Sequence, residues 1–490
     1  AATRVDENGL VNYAEIIGSE EITNGDFATD LSGWVTNATI WSSGRAYVDA
    51  VPTGSGYIVQ TILDSNKTYL IEATLEVVQG AAKLQLGSGD GSTVTYSSGT
   101  HQISVIKGGS ELGSDGKIYF ARENSTAQFY VDNVSVKEVD RDNVPRIDYT
   151  GGGCPHILAE PQRTNDFTQS NDFANAYWSK NSTAIDTSIG TDGIQSNIST
   201  SPDGTINADR VNFLLQSDKD IGLARSLDSS VGITHSCSVW LKGEGTNIGK
   251  DVIIRVKRSY GGSYVAVDKT VTLTSIWQRV ETEPLTLVTD NAGVRTILSS
   301  NDATNCLIYG FQSEVGSYPT SYIPTSGSTV TRNQDIFTRD GIGSLINSTE
   351  GVLFVEFKRV EGNSTTSAIS LNDGTSSNGV SMYFFGVSNF YVDVFSSSGT
   401  ITLNGGIVNT SDFIKVAFKY KNGDSAIWIN GIEVTTNSGA ISLVGLNQLL
   451  FTYVNGTAPF YGKVKQLQVY KIALTDEQLL QLTGESGTDF

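Results

Sequence analysis

Short runs in which hydrophobic and polar residues alternate recur along most of the chain. In "YLIEATLEV" (69–77), Tyr69, Ile71, Ala73, Leu75 and Val77 fall on one face, and Leu70, Glu72, Thr74 and Glu76 on the other. A period of two with one polar face marks a half-buried strand. The pattern returns in "AYVDAV", "GYIVQTI", "AKLQLGSG", "HQISVI", "KIYFARE" and "AQFYVDNVSVKEV". Such strands at close, regular spacing predict a β-sandwich over residues 18–139.

Residues 166–330 predict a second sandwich. In "HSCSVWLKG" (235–243), Cys237, Val239 and Leu241 share the core parity, and Trp240 points to the opposite face, towards a ligand or a neighbouring chain. "NDFANAYWSK" (171–180) echoes "NGDFATDLSGW" (24–34), so the two units read as distant copies, with Trp34 and Trp178 in their cores. Residues 331–341 form a polar linker, and residues 342–490 a third sandwich with Asn-Gly hairpin signals at 422–423 and 430–431. One helix is predicted, in "LTDEQLLQLTG" (474–484), with a capping box from Thr475 to Gln478 and Gly484 at its end. An N-terminal segment (1–17) and a joint (140–165) complete the chain. The fold class is all-β: three consecutive β-sandwich domains.

Charge narrows the partners. A net charge of -19 and a pI near 4.6 disfavour nucleic acid, which needs clustered Lys and Arg. No apolar run approaches the ~20 residues of a membrane span, so no membrane insertion is expected. Cys154, Cys237 and Cys306 cannot all pair within one chain, and their spacing matches no zinc pattern.

Three stretches carry resemblances. "NGDFATDLSGW…YVDNVSVKEV" resembles the opening and closing motifs of family 4/9/22-type carbohydrate-binding modules, which are jelly-roll sandwiches. "NVPRIDYTGGGCPHILAEPQRTN" (143–165), with "GSYPTSYIPTSGSTVTR", resembles a segment of tailed-phage and prophage virion-surface proteins such as tail fibres. "WINGIEV" and "FYGKVKQLQVYKIALTDEQ" resemble a laminin-G/pentraxin-like, concanavalin-type lectin domain. "ATRVDENGLV" (2–11) is similar to the piece that lies just upstream of "NVPRIDY" in such phage proteins, so the first sandwich reads as an insertion into a loop of that scaffold. The resemblances imply a virion-surface adhesion protein that binds polysaccharide, contacts other virion proteins and assembles as a homo-oligomer, trimers included. The rival readings are a secreted polysaccharide-degrading enzyme or its accessory carbohydrate-binding chain, and a purely structural virion component.

Sugar binding needs exposed aromatics to stack on the ring and polar side chains for its hydroxyls. The candidates are Trp41, Tyr47, Tyr57, Tyr96, Tyr119 and Trp240, with Glu72, Glu76 and Gln85 as polar partners. The carbohydrate-binding-module resemblance also implies a structural Ca2+ joining the first and last strands, held by Glu21, the Gly25 carbonyl and Asp132. No catalytic residue is assigned. A glycosidase of the concanavalin fold needs paired carboxylates; "FYVDVF" offers Asp393 alone, and Glu356 and Glu361 have the wrong parity. Cys154 and His156 flank Pro155, which argues for an irregular turn without a third chemical partner. The 143–165 segment reads as a joint leading into the second sandwich, with Arg146 and Arg163 anchoring it on acidic neighbours.

Overall fold

The computed structural model describes residues 2–141, 144–151, 154–258, 265–288, 293–360 and 366–484. Two compact bodies emerge: Ala14–Val144, and Ala1–Tyr13 together with Pro145–Phe490.

In the body Ala14–Val144, one long strand organises a nine-stranded sheet. The first half of Thr68–Leu86 pairs with Gln128–Asp140, and its second half with Lys117–Arg122. Its partner Thr93–Gly108 follows it on both sides of a bulge between Val77 and Ala81. That irregularity lets the single strand serve two layers closed over one core. Phe27, Trp34, Ile71, Leu75, Leu84, Phe120 and Phe129 all belong to this core. The expected strands at 69–77 and 82–89 are therefore one element.

The echoed motifs build the same local device. Trp34 packs against Phe27 at 5.5 Å and donates its indole N–H to the Asn24 carbonyl. Trp178 packs against Phe173 at 5.3 Å and donates to the Gln169 carbonyl. Each indole buries its ring and satisfies its one donor on the turn.

The second sandwich faces a five-stranded sheet against a six-stranded one, around Trp178, Cys237, Val239, Leu241 and Phe311. Burial pushes the Cys237 thiol up to about 11, which makes it a packing residue.

The third sandwich sets a seven-stranded sheet over a six-stranded one. The helix Asp476–Thr483 has the expected capping box and covers the outer face of the seven-stranded sheet through Leu474 and Leu479, against Val352, Phe354 and Trp428. Gly484 ends it with φ -66°, an extended conformation that demands no glycine.

The joint departs from the expected path. Its strands Ile147–Asp148 and His156–Ala159 extend the seven-stranded sheet of the third sandwich, His156–Ala159 pairing with Gly462–Tyr470. Arg163–Asn165 then pairs with Val330–Arg332, bringing the two ends of the second sandwich side by side. The second sandwich thus leaves from and returns to one place on the third. At the N-terminus, the hairpin Thr3–Val5 with Val11–Tyr13 docks on the joint, Tyr149 N–H bonding the Val5 carbonyl and Arg4 the Ile147 carbonyl.

Candidate functional site

In the body Ala14–Val144, sheet register assembles an aromatic row on a solvent-facing surface. Tyr130 lies opposite Tyr47 on one neighbouring strand and opposite Glu76 on the other; Ile40 lies beyond Tyr47. All four have the parity opposite to the core residues Phe129, Val131, Val48 and Leu75. The Tyr47 and Tyr130 rings sit 4.7 Å apart, tilted by 35°. The Arg45 guanidinium lies 3.9 Å over Tyr130 and bonds Glu76 at 2.6 Å. This ion pair clamps one end of the row and pins the Tyr130 ring. Asp49 and Gln128, hydrogen-bonded at 3.2 Å, edge the row with polar groups.

The expected sugar-binding residues do not form one site. Tyr47, Glu72 and Glu76 share the row's layer. Gln85 and Tyr119 are register partners on the second layer, beyond the bulge, and Tyr57 packs edge-on to Tyr119 at 5.9 Å. Tyr96 lies opposite buried Ala82 and packs against the core; burial raises its phenol. Trp41 lies opposite buried Ala46 yet stays 43% exposed, its indole N–H held by the Phe27 carbonyl at 2.7 Å. Tyr130 carried the same signal in the sequence, alternation with Phe129 and Val131, but lacked a partner until register supplied Tyr47.

The opening segment does lie along the last strand, joined by hydrogen bonds. Gly25 accepts from Val134 N–H at 2.9 Å, and Glu21 N–H donates to the Val136 carbonyl. A side chain at Gly25 would place its Cβ 1.9 Å from the Val134 carbonyl, so glycine is required by close approach. The Asp132 carboxylate accepts from Asn133 N–H. The acid that reaches the strand is Glu20, bonded to Val136 N–H and the Ser135 hydroxyl. Calcium takes six to eight oxygens. Among the described residues no group of three or more His, Cys, Asp or Glu side chains is placed to hold a metal, so a calcium here would draw on backbone carbonyls as well. The calcium expected from the carbohydrate-binding-module resemblance is tested by comparing the melting temperature in EDTA with that in calcium: a fall of several degrees on chelation supports the ion, and no change removes it.

A second aromatic surface lies on the third sandwich. Tyr383 and Tyr391 are register partners whose rings stack at 5.6 Å, and Tyr453 meets Tyr383 edge-on at 5.4 Å. They face away from the core residues Met382, Phe384, Phe390 and Val392. Asp393 sits beneath, accepting from the Thr402 and Tyr453 hydroxyls. Of the other carboxylates weighed for a glycosidase pair, Glu356 lies on the seven-stranded sheet, 3.9 Å from Lys465. Glu361 lies outside the described residues.

The joint's polar residues meet in a buried centre. Glu160 accepts from Arg146 at 2.7 Å, from Arg332, and from Ser321 N–H at 2.9 Å. Arg146 also bonds Asp335 and the Thr3 carbonyl. Burial alone would raise the Glu160 carboxyl, but Arg332 and Arg146 hold it at about 2. Among the described residues Arg163 takes no acidic partner: it donates to the Gln162 carbonyl and lies 5.3 Å over Tyr318. His156, buried on a strand, stands 3.2 Å from Asp148, whereas Cys154 is exposed. Burial would raise Asp148; His156 and the N–H groups of Val5 and Thr150 hold it well below the usual carboxylate range.

Trp240 has the expected parity. Cys237, Val239 and Leu241 enter the core, while Trp240 joins Val11, Tyr309 and Tyr322 in a separate cluster. Its outer face is thus covered largely by its own chain.

Residues 354–480 match the Laminin_G_3 model, described as the concanavalin A-like lectin/glucanases superfamily. No curated protein sequence matches the chain. Among solved structures, the Ruminococcus gnavus IT-sialidase CBM40 bound to alpha2,3 sialyllactose is 21% identical, covering 28% of this chain and 84% of its own, with a TM-score of 0.26. The CBM22-1–CBM22-2 tandem of Paenibacillus barcinonensis Xyn10C is 11% identical, covering 63% of this chain and 100% of its own, with a TM-score of 0.25. Mouse laminin alpha1 LG4-5 is 12% identical over 54% of this chain and 91% of its own, with a TM-score of 0.21.

Proposed function

We propose that the protein is a non-enzymatic adhesion protein that holds polysaccharide on solvent-facing aromatic rows. The observation that carries this reading is the Tyr47–Tyr130 row, clamped by Arg45 and Glu76 and edged by polar side chains. A pyranose presents an apolar face to such rings and its hydroxyls to the rim. The Tyr383–Tyr391 pair supplies a second platform of the same kind, and the lectin/glucanase description of the family matched by residues 354–480 supports a glycan ligand there. Each site is shallow and weak; repetition within the chain and across a homo-oligomer turns weak contacts into a firm hold. The resemblance of residues 143–165 to virion-surface chains supports a place on a phage particle, among other virion proteins.

Soluble protein on a glycan array is expected to retain polysaccharide, and Tyr130→Ala to weaken the best glycan about tenfold, the loss of one aromatic stacking contact. Tyr130 is half-buried against Tyr47 and Arg45, so melting should fall by only a few degrees and the variant stays folded at the assay temperature. An intact oligomer that binds no glycan would overturn the proposal. Antibody is expected to label virion particles; labelling confined to secreted enzyme complexes would make the chain an accessory carbohydrate-binding protein.

A further inference from the structure

In the body Ala14–Val144 the strand Thr93–Gly108 pairs with Thr68–Leu86 on one side and, among the described residues, with no strand on the other. Among the described residues no backbone group outside this pair bonds the N–H or C=O groups of Thr100–Ile106. An edge left open in this way is a template for a further strand, and proteins usually blunt it with proline, charge, a bulge or a cover. Two other edges are blunted. Gly399–Ile407 and Ile432–Asn437, edge strands of the third sandwich's two sheets, meet where the Thr435 hydroxyl donates to the Asn404 carbonyl. Ala266–Thr272, at the edge of the five-stranded sheet, carries Asp268 and Lys269. Thr100–Ile106 contains no proline and no Asp, Glu, Lys or Arg. The irregularity of this strand lies at Gly99 (φ 133°), and beyond it Thr100 to Gly108 pair residue by residue with Glu76 to Thr68.

We propose that Thr100–Ile106 pairs antiparallel with the same segment of a second copy of this chain, about a two-fold axis at Ile103, joining two sheets into one. The edge fits itself in this register. Thr100 faces the partner's Ile106, His101 the partner's Val105, and Gln102 the partner's Ser104. Lys107 falls opposite the partner's Gly99, and Glu111 already holds it at 2.7 Å. No like charges meet, so the usual penalty on self-pairing is absent. Foreign peptides added to an edge are selected through pockets for their side chains; short exposed side chains, Thr100, Gln102 and Ser104, border this one.

The pairing has a geometric consequence. Directly opposite residues of an antiparallel sheet share a face, and here each faces a residue of its own parity, so both copies turn the same face to the same side. That face carries Glu76, opposite Thr100, and beyond it Tyr130 and Tyr47. Tyr130 lies two strands in from the edge, so the two Tyr47–Tyr130 rows stand roughly 24 Å apart across the strands of one continuous surface. Two weak sites on one side of one sheet can grip a single long chain together.

The pairing does not depend on the glycan reading, and the test separates the two. Sedimentation velocity over a concentration series is expected to show the full chain associating reversibly in pairs. Gln102→Lys combined with Ser104→Lys sets like charges opposite each other on both sides of the axis and should weaken the pair about tenfold. Gln102→Glu combined with Ser104→Lys sets opposite charges there and should retain it. Both positions are exposed, and melting curves check that both variants fold. Tyr130→Ala should leave the pair intact whatever it does to glycan binding. A full chain that stays monomeric through the high-micromolar range overturns the proposal. So does a pair indifferent to the two lysines, or one that both double variants dissociate alike.

Discussion

Replacing Glu160 with leucine is expected to destabilise the body that contains it by about 3–5 kcal/mol, the usual cost of removing one partner from a buried ion pair. Glu160, Arg146 and Arg332 are all buried. Two guanidinium groups would then share one carboxylate, Asp335, leaving positive charge that water cannot reach. The loss also unties Ser321 N–H and so the end of the second sandwich. For a body of this size the melting temperature should fall by roughly 5 °C. The double variant Glu160→Leu with Arg332→Met leaves the neutral Arg146–Asp335 pair and should recover part of the loss. A single variant that melts within a degree of the parent, or a double variant that melts far below the single one, would refute this account. The centre joins the N-terminal hairpin, the joint, the 321 loop and the linker, so its loss is expected to loosen these segments before the sandwich cores.

Strand faces were legible because burial on one side imposes a period of two. Tyr69 to Val77 and Cys237 to Leu241 sit on the core as their parity requires. What parity cannot report is which layer an outward residue joins. The bulge between Val77 and Ala81 changes the outward parity, so Glu76 and Gln85, both outward, serve different surfaces. Nor can local pattern report long-range pairing. Leu158 lies opposite Lys463, and nothing near either residue specifies the other. The same limit hid Tyr130 as partner of Tyr47 and Tyr453 as donor to Asp393. The anchoring role of Arg146 was legible from its setting among acids; Arg163, with the same setting, lies over the Tyr318 ring instead, a long-range neighbour that local pattern does not report.

Lowering the pH from about 7.5 to 5 is expected to stabilise the second sandwich. Asp209 is almost fully buried, and desolvation lifts its carboxyl to about 6 even though it accepts N–H groups from Phe173 and Asn197. Burial alone lifts Asp166 to about 6 as well, and Glu314 is raised for the same first cause. In the unfolded chain the two aspartates titrate near 3.8. Between these values the folded state binds more protons than the unfolded one, so stability falls as pH rises through 6. The gap between the folded and unfolded values corresponds to at most ~3 kcal/mol for each aspartate. The opposite sign holds for Glu160, depressed from 4.5 to about 2, and for Asp148. Their contribution is complete above their unfolded values and is lost as pH falls towards 2. The melting temperature should therefore climb from neutral pH to a maximum near 5 and drop below 4. Asp209→Asn removes one of the charges that must be desolvated and keeps an oxygen acceptor, so it should flatten the neutral limb while leaving the acid limb in place. A melting temperature that is flat or falling between pH 7.5 and 5, or a neutral limb untouched by Asp209→Asn, would show that these carboxylates do not carry the raised affinity for protons that their burial requires.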